Sequence, residues 1–187
     1  MFIQTEPTPN PETLKFLPGQ TVLESGMVDF RAEDEAAGSP LAQRIFAVDG
    51  VTGVFLGYDF VSVTRDGTPW EHLKPAILGA IMEHYLSGDP VIEGEAADVE
   101  PVAEEDFDQK DAHTVAMIKE ILDERVRPAV AGDGGDIIFR SYRDGIVHLA
   151  MRGACAGCPS STMTLQMGIQ NLLRHFIPEV QEVRPVA

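Results

Sequence analysis

Cysteine is scarce in this 187-residue chain: there are two, and both lie in one short segment near its end. Two cysteines are too few to build a disulfide scaffold, and a reducing compartment would keep them as thiols. Long apolar runs are also missing, and none approaches the ~18 residues that a membrane-spanning helix needs. The first ten residues lack the features of a signal or transit peptide. We therefore expect a cytoplasmic protein, or a processed organellar chain, that has no membrane partner.

Positive charge is scarce as well. The 14 Lys and Arg residues are outnumbered by 30 Asp and Glu, which gives a formal net charge of −16. A field of this sign repels the phosphate backbone and argues against a nucleic-acid partner. Hydrophobic residues make up 44% and charged residues 24%, as in ordinary globular proteins.

The acidic residues are concentrated in one stretch that divides the chain. Residues 89–111 hold ten acids and one base, a net charge of −9. Dense like charge with few apolar residues is typical of a solvated, flexible tether. We therefore predict an N-terminal domain over residues 1–88, an acidic flexible linker over 89–111 and a C-terminal domain over 112–187.

The N-terminal segment has the pattern of a small two-layer unit. Ser39 and Pro40 are suited to the cap and first position of a helix. A stripe of apolar residues predicts a second helix from Trp70 to Leu86. Strand-like runs occur in pairs before each helix, at residues 2–5, 14–17, 51–55 and 58–64. The predicted order is ββαββα.

The C-terminal segment predicts a second α+β unit, of αββα type. A helical stripe begins it, and Pro128 inside that stripe predicts a kink or an end nearby. The Gly132–Asp136 loop is interpreted as a tight turn, since its aspartates would repel a bound phosphate. Two strands follow, over residues 137–142 and 146–151, and a last helix closes the unit. The residues of the first stripe are Val115, Ile118, Leu122, Val126 and Val130.

Both cysteines, Cys155 and Cys158, lie between the second of these strands and the last helix. Pro159 suits the first position of that helix, where its missing N–H costs nothing. The sulfurs would then lie at a helix N-terminus, where unpaired N–H groups and the helix dipole favour thiolates. The sequence thus predicts two activated thiols. The apolar stripe of the helix is Leu165, Ile169, Leu172, Leu173 and Phe176.

Three interpretations of this Cys-x-x-Cys pair compete. It could be a thiol–disulfide redox pair, a structural disulfide or half of a zinc site, or half of an iron–sulfur site. Zinc and cluster sites commonly need four ligands, and a two-fold dimer would supply four sulfurs from one patch. The spacing alone leaves these open. A thioredoxin-type pair lies early in its fold, however, whereas only 29 residues follow Cys158.

The flanking residues resemble a known family. The segment Gly153-Ala-Cys155-Ala-Gly-Cys158-Pro-Ser-Ser161, with Asp133-Gly-Gly-Asp136 upstream, resembles the C-terminal domain of Nfu/NifU iron–sulfur proteins. The first segment resembles the N-terminal domain of mitochondrial-type Nfu proteins through Phe2-Ile-Gln-Thr5 and Thr8-Pro-Asn-Pro11. The resemblance covers both predicted domains and leaves out only the linker.

The resemblance implies a carrier or scaffold for an iron–sulfur cluster, not an enzyme. It implies that Cys155 and Cys158 are the ligands of a [4Fe–4S] cluster shared between two protomers, which form a homodimer through the C-terminal domain. It further implies partners in apo iron–sulfur recipient proteins and an upstream cluster scaffold, in a bacterial cytoplasm or a mitochondrial matrix. We expect the N-terminal domain to recognise donor or recipient proteins. A thiol–disulfide oxidoreductase and a zinc-bridged structural dimer remain the alternatives.

Other residues near the cysteines have weaker claims to a role. His148 lies in the strand that leads to them, although ordinary placement is the simpler interpretation. Met163 and Met167 are predicted to pack in the core or to form a soft wall beside the cluster. Ser160, Ser161 and Thr162 could donate hydrogen bonds to cluster sulfurs or cap the helix.

Overall fold

The computed structural model describes residues 1–94, 105–156 and 159–186. Within them the chain forms two compact units, Met1–Val99 and Glu100–Ala187. Each unit combines one sheet with helices, so the predicted α+β class is confirmed. No helix of the described ranges has the length and hydropathy needed to cross a bilayer.

The first unit is built on an antiparallel sheet of five strands, in the order β1-β2-β5-β4-β3. Its core joins sheet residues such as Phe16 and Val63 to helix residues such as Ile45 and Ile77, all fully buried. Strand β3 was not predicted. The elements are β1 (Gln4–Pro7), β2 (Thr13–Leu17), β3 (Val28–Phe30), a 3₁₀ turn (Glu33–Gly38), α1 (Pro40–Phe46), β4 (Val51–Leu56), β5 (Val61–Arg65) and α2 (Trp70–Ser87).

Helix α1 begins as the sequence predicts. The Ser39 hydroxyl oxygen accepts a hydrogen bond from the Ala42 amide at 3.2 Å, and Pro40 takes the first helical position. The same hydroxyl donates to the Val91 carbonyl oxygen at 2.7 Å. Ser39 therefore caps α1 and also holds the chain that leaves α2.

The second unit has a four-stranded sheet in the order β6-β7-β8-β9. The β7–β8 hairpin is antiparallel, and each outer strand lies parallel to its neighbour. The outer strands β6 and β9 were not predicted. The elements are β6 (Asp106–Phe107), α3 (Ala112–Ile121), a π-helical turn (Leu122–Val126), α4 (Arg127–Gly132), β7 (Gly135–Arg143), β8 (Ile146–Gly153), α5 (Pro159–Phe176) and β9 (Glu182–Val186).

The apolar stripes of this unit mostly lie in its core. All five residues of the first predicted stripe are buried, and the π-helical turn ends two residues before Pro128. Ile169 and Leu173 of α5 are buried in the same cluster. Phe176, the last residue of the predicted stripe of α5, is 41% exposed. Its ring lies beneath the Arg125 guanidinium, 4.9 Å from ring centroid to Cζ.

The two ends of the predicted linker belong to the folded units. Val91 and Ile92 pack against the first core, and Phe107 packs against the second. Composition predicted residues 89–111 to form one solvated tether, whereas single apolar residues near both of its ends contact a core. The prediction for residues 95–104 lies outside the described residues.

Candidate metal centre

Cys155 lies on a tight turn that follows strand β8. The Ala154 amide donates to the Gly134 carbonyl oxygen at 3.1 Å, which ties this turn to the turn before β7. The Cys155 amide donates to the Arg152 carbonyl oxygen at 3.2 Å. These backbone hydrogen bonds hold the turn that carries Cys155 against the turn that precedes β7.

Two glycines shape these turns. Gly134 and Gly153 have φ values of +81° and +58°, in the left-handed region that side chains with a Cβ disfavour. The tight turn predicted within Gly132–Asp136 is confirmed at Asp133 and Gly134, whereas Gly132 ends α4 and Gly135 begins β7. On the other side of the site, the Thr162 hydroxyl donates to the Cys155 carbonyl oxygen at 3.0 Å, which joins the turn to the first part of α5.

Gly135 provides the surface against which the Cys155 sulfur packs. A Cβ built on Gly135 would lie 2.5 Å from Cys155 Sγ and 2.7 Å from the Arg152 carbonyl oxygen. Such contacts cannot be accommodated without moving the turn. The sequence identified Gly135 only as part of a turn, because its contact with Cys155 depends on the register of β7 with β8.

The local electrostatics disfavour a free thiolate at Cys155. The residue is 7% exposed, and burial, together with the negative charges of Asp133 and Asp136, raises the pKa of its thiol to about 12. The prediction of an activated thiol was therefore wrong for Cys155: burial and nearby carboxylates outweigh a helix dipole whose influence fades within a turn. Cys158 lies outside the described residues.

An ion pair with a buried carboxylate lies next to this turn. Asp136 is 1% exposed and accepts two hydrogen bonds from Arg127, at 2.9 Å from Nε and 3.0 Å from Nη2. Asp136 also holds the pKa of the Arg127 guanidinium above its usual value through these hydrogen bonds. Sequence reasoning missed this pair, since nothing in the pattern links a helical arginine to the first residues of a strand.

The structure also places the other residues that the sequence singled out near the cysteines. His148 Nδ1 lies 2.9 Å from Ser141 Oγ, so its side chain is engaged within the sheet. Met163 and Met167 are 62% and 58% exposed, so core packing was the wrong interpretation. Ser160 is exposed, and the Ser161 side chain lies outside the described residues. Among the described residues, no three His, Cys, Asp or Glu side chains gather as a metal site.

Family models match both parts of the chain. A model described as "Scaffold protein Nfu/NifU N terminal" matches residues 3–88, and a "NifU-like domain" model matches residues 118–184. A human protein named "NFU1 iron-sulfur cluster scaffold homolog, mitochondrial" is 48% identical over all of this chain and 72% of its own length. The chain belongs to the Nfu family of NifU-like proteins.

Other members of the Nfu family are equally similar. "NifU-like protein 4, mitochondrial" of Arabidopsis thaliana is 50% identical over 98% of this chain, and the Drosophila sechellia homolog of the human protein is 48% identical over all of it. This chain spans 65% of the length of each of these two relatives. A solved NifU-like protein from Saccharomyces cerevisiae is 31% identical over 51% of this chain and 87% of its own, with a TM-score of 0.46.

Proposed function

We propose that this Nfu-family chain is a scaffold and carrier for an iron–sulfur cluster, which it binds as cargo and transfers to apo-proteins. The observation that carries the proposal is the Cys155–Cys158 pair between β8 and α5, in a chain that has no other cysteine. The relatives named above as iron-sulfur cluster scaffolds support it.

The proposed ligands are the thiolates of Cys155 and Cys158. A [4Fe–4S] cluster is commonly held by four thiolates, and one chain supplies two. A two-fold dimer presents the same patch twice, so two C-terminal units would together complete the ligand set. The hydrogen-bonded turn at Cys155 supports this role, because a ligand held by the backbone needs little reordering when iron binds.

Transfer would proceed by ligand exchange. Thiolates of the recipient replace Cys155 and Cys158 one after another, so the cluster passes on without a change in this chain's covalent structure. The role is that of a carrier, not an enzyme. Its partners would be apo iron–sulfur proteins and an upstream scaffold, with the N-terminal unit recognising one of them. The names of the relatives favour the mitochondrial matrix over the bacterial cytoplasm as the compartment.

The redox alternative is weakened by one observation. A thiol–disulfide oxidoreductase needs one of its two thiols ionised near neutral pH, and burial, which raises the pKa of the Cys155 thiol to about 12, argues against Cys155 in that role. A metal ion overcomes the same barrier by displacing the thiol proton as it binds. Nothing in the described residues specifically favours a zinc-bridged dimer, which stays an outcome of the experiment.

The proposal is tested by anaerobic reconstitution of the full chain with ferrous iron and sulfide, followed by addition of an apo-ferredoxin. We expect a brown protein with about two iron atoms per chain, corresponding to one shared cubane, that activates the ferredoxin. Cys155→Ser and Cys158→Ser should lose the colour. A colourless monomer that reduces insulin disulfides, or stoichiometric zinc that resists iron loading, would overturn the proposal.

A further inference from the structure

One face of helix α5 is exposed along its whole first half. The exposed positions recur at intervals of three and four residues, which places them on a single helical stripe. Met163 and Met167, at 62% and 58% exposure, are its largest apolar members. We call the part of this stripe that precedes Arg174 the methionine face; it comprises Ser160, Met163, Thr164, Met167, Gly168 and Asn171, and the exposed Arg174 and His175 continue the stripe in the last turn of the helix.

The methionine face lies in a part of the chain that carries no charge. From Gly153 to Leu173, 21 consecutive residues include no Asp, Glu, Lys or Arg, although such residues make up 24% of the chain. An exposed helix face of a soluble protein ordinarily carries charges. Depletion of charge and enrichment of methionine are typical of the buried part of a protein–protein interface.

We propose that the methionine face is the surface through which two copies of this chain meet to share the cluster. This inference rests on the proposed function, because a cluster with four thiolate ligands is incomplete on one chain. Helix α5 begins at Pro159, directly after Cys158, so the methionine face starts at Ser160, two residues beyond the cysteine pair. Contact between copies along this face brings the two pairs together.

The chemistry of the face suits a second copy in particular. A two-fold contact sets a surface against itself, so any charge on it near the axis would meet a like charge. An uncharged face avoids this repulsion even though each chain carries a net charge of −16. A face that selected an acidic or basic partner protein would carry the opposite charge.

The face can also lose its water at little cost. The Thr164 hydroxyl already donates to the Ser160 carbonyl oxygen at 3.0 Å, so its donor stays satisfied when solvent is excluded. A Cβ added to Gly168 would meet no described atom within 4 Å. This open position beside Met167 leaves room for a flexible methionine side chain from the second copy.

Two oppositely charged variants test the proposal in the full chain. One is Met163→Lys with Met167→Lys, and the other is Met163→Glu with Met167→Glu. Each is loaded anaerobically with iron and sulfide, and cluster content and sedimentation velocity are measured. We expect the dimer of either variant to dissociate about 100-fold more readily and its cluster content to fall in parallel, since like charges then meet. A one-to-one mixture should recover both the dimer and the cluster.

The control is Met82→Lys, which changes an exposed methionine of α2 in the other unit and should leave loading and dimerisation unchanged. Normal loading and dimerisation of both charged variants would overturn the proposal. Slower transfer to an apo-ferredoxin in that case would assign the face to recipient proteins. Loss of the dimer and the cluster in both variants, without recovery in the mixture, would also contradict the proposal, because it would indicate that the substitutions damage the cysteine turn. If the unsubstituted chain fails to load or loads as a monomer, it is the proposed function that fails.

Discussion

At the level of residues, Cys155 can occupy its site because Gly135, which packs against its sulfur, has no side chain. We expect Gly135→Ala to destabilise the second unit by about 1–3 kcal/mol through overpacking, because the new Cβ would lie 2.5 Å from the sulfur. The displaced turn should also lower the iron content after reconstitution. Urea unfolding followed by circular dichroism, together with iron analysis, measures both effects.

The matched control is Gly132→Ala, at the end of α4 and three residues before Gly135. A Cβ there meets no described atom within 4 Å, and the φ angle of Gly132 is not positive. This variant should keep the stability and iron content of the original chain. Equal stability and equal iron content in the two variants would show that the close approach of Gly135 to Cys155 affects neither folding nor iron binding.

The Arg127–Asp136 pair gives a second prediction at the level of residues. Arg127→Ala removes two hydrogen bonds to the carboxylate of Asp136, a residue that is 1% exposed, and removing the partner of a buried charge is strongly destabilising. Because the Arg127 side chain is itself 40% exposed, we expect a loss of about 2–3 kcal/mol in the free energy of unfolding. Chemical denaturation measures the loss.

The control for this pair is Arg143→Ala, which breaks the exposed contact between Arg143 and Asp106. Surface pairs contribute about 0–1 kcal/mol, so this variant should unfold close to the original chain. A loss at Arg127 no larger than that at Arg143 would contradict the structural importance given to the buried pair.

At the level of elements, the chain that leaves α2 binds to α1 and to the turn before it. Asp89 lies 2.7 Å from Arg44, and the Glu93 amide donates to the Gly38 carbonyl oxygen at 2.8 Å. His84, near the end of α2, is fully buried, and within the described part of the chain neither of its ring nitrogens has a hydrogen-bond partner. Burial, and after it the charge of Arg44, lowers the pKa of His84 below 6.5, against the opposing charge of Asp89.

This histidine predicts how the stability of the first unit depends on pH. The unfolded chain protonates His84 near pH 6.5, whereas the folded chain resists protonation until a lower pH, so stability falls as the pH drops through that window. We expect the Tm at pH 5.5 to be lower than at pH 7.5. Fluorescence of Trp70, the only tryptophan, reports on this unit alone.

His84→Leu should reduce this pH dependence and change the unfolding free energy at pH 7.5 by less than about 1 kcal/mol, because no hydrogen bond within the described residues is lost. The exposed His72 provides the control, and His72→Leu should keep the original pH profile. An unchanged profile in His84→Leu would assign the pH dependence to other groups.

The elements also show what sequence can and cannot predict. The cap at Ser39 and the stripe from Val115 to Val130 were predicted because local signals dictate them. Strands β3, β6 and β9 were missed because their local signals are weak. Strand β3 has only three residues, β6 has only two, and β9 contains Pro185, so each forms only by pairing with a neighbouring strand. The close packing of Cys155 against Gly135 was missed for the same reason, because Gly135 is distant in sequence and lies on strand β7.

At the level of the whole molecule, the negative charge is unevenly distributed. Residues 112–187 contain eight acids and eight bases, so the net charge of −16 comes entirely from residues 1–111. Two approaching copies repel at long range, although the methionine face itself is uncharged. Salt screens such repulsion, with a Debye length of about 10 Å at 0.1 M.

We therefore expect loaded dimers to form several-fold more tightly at 0.3 M than at 0.02 M sodium chloride, because a contact without charges loses nothing to screening. Sedimentation equilibrium measures the dissociation constants. Weaker association at high salt would indicate that ion pairs hold the copies together and would contradict a neutral contact.

The account depends most on one cluster being shared by two chains through Cys155 and Cys158. Mössbauer spectroscopy on anaerobically purified protein, with sedimentation velocity on the same sample, tests this directly. The account predicts a [4Fe–4S] signal confined to the dimer, at one cluster per two chains, and its loss in Cys158→Ser. A cluster carried by a monomer, or full occupancy in Cys158→Ser, would contradict it.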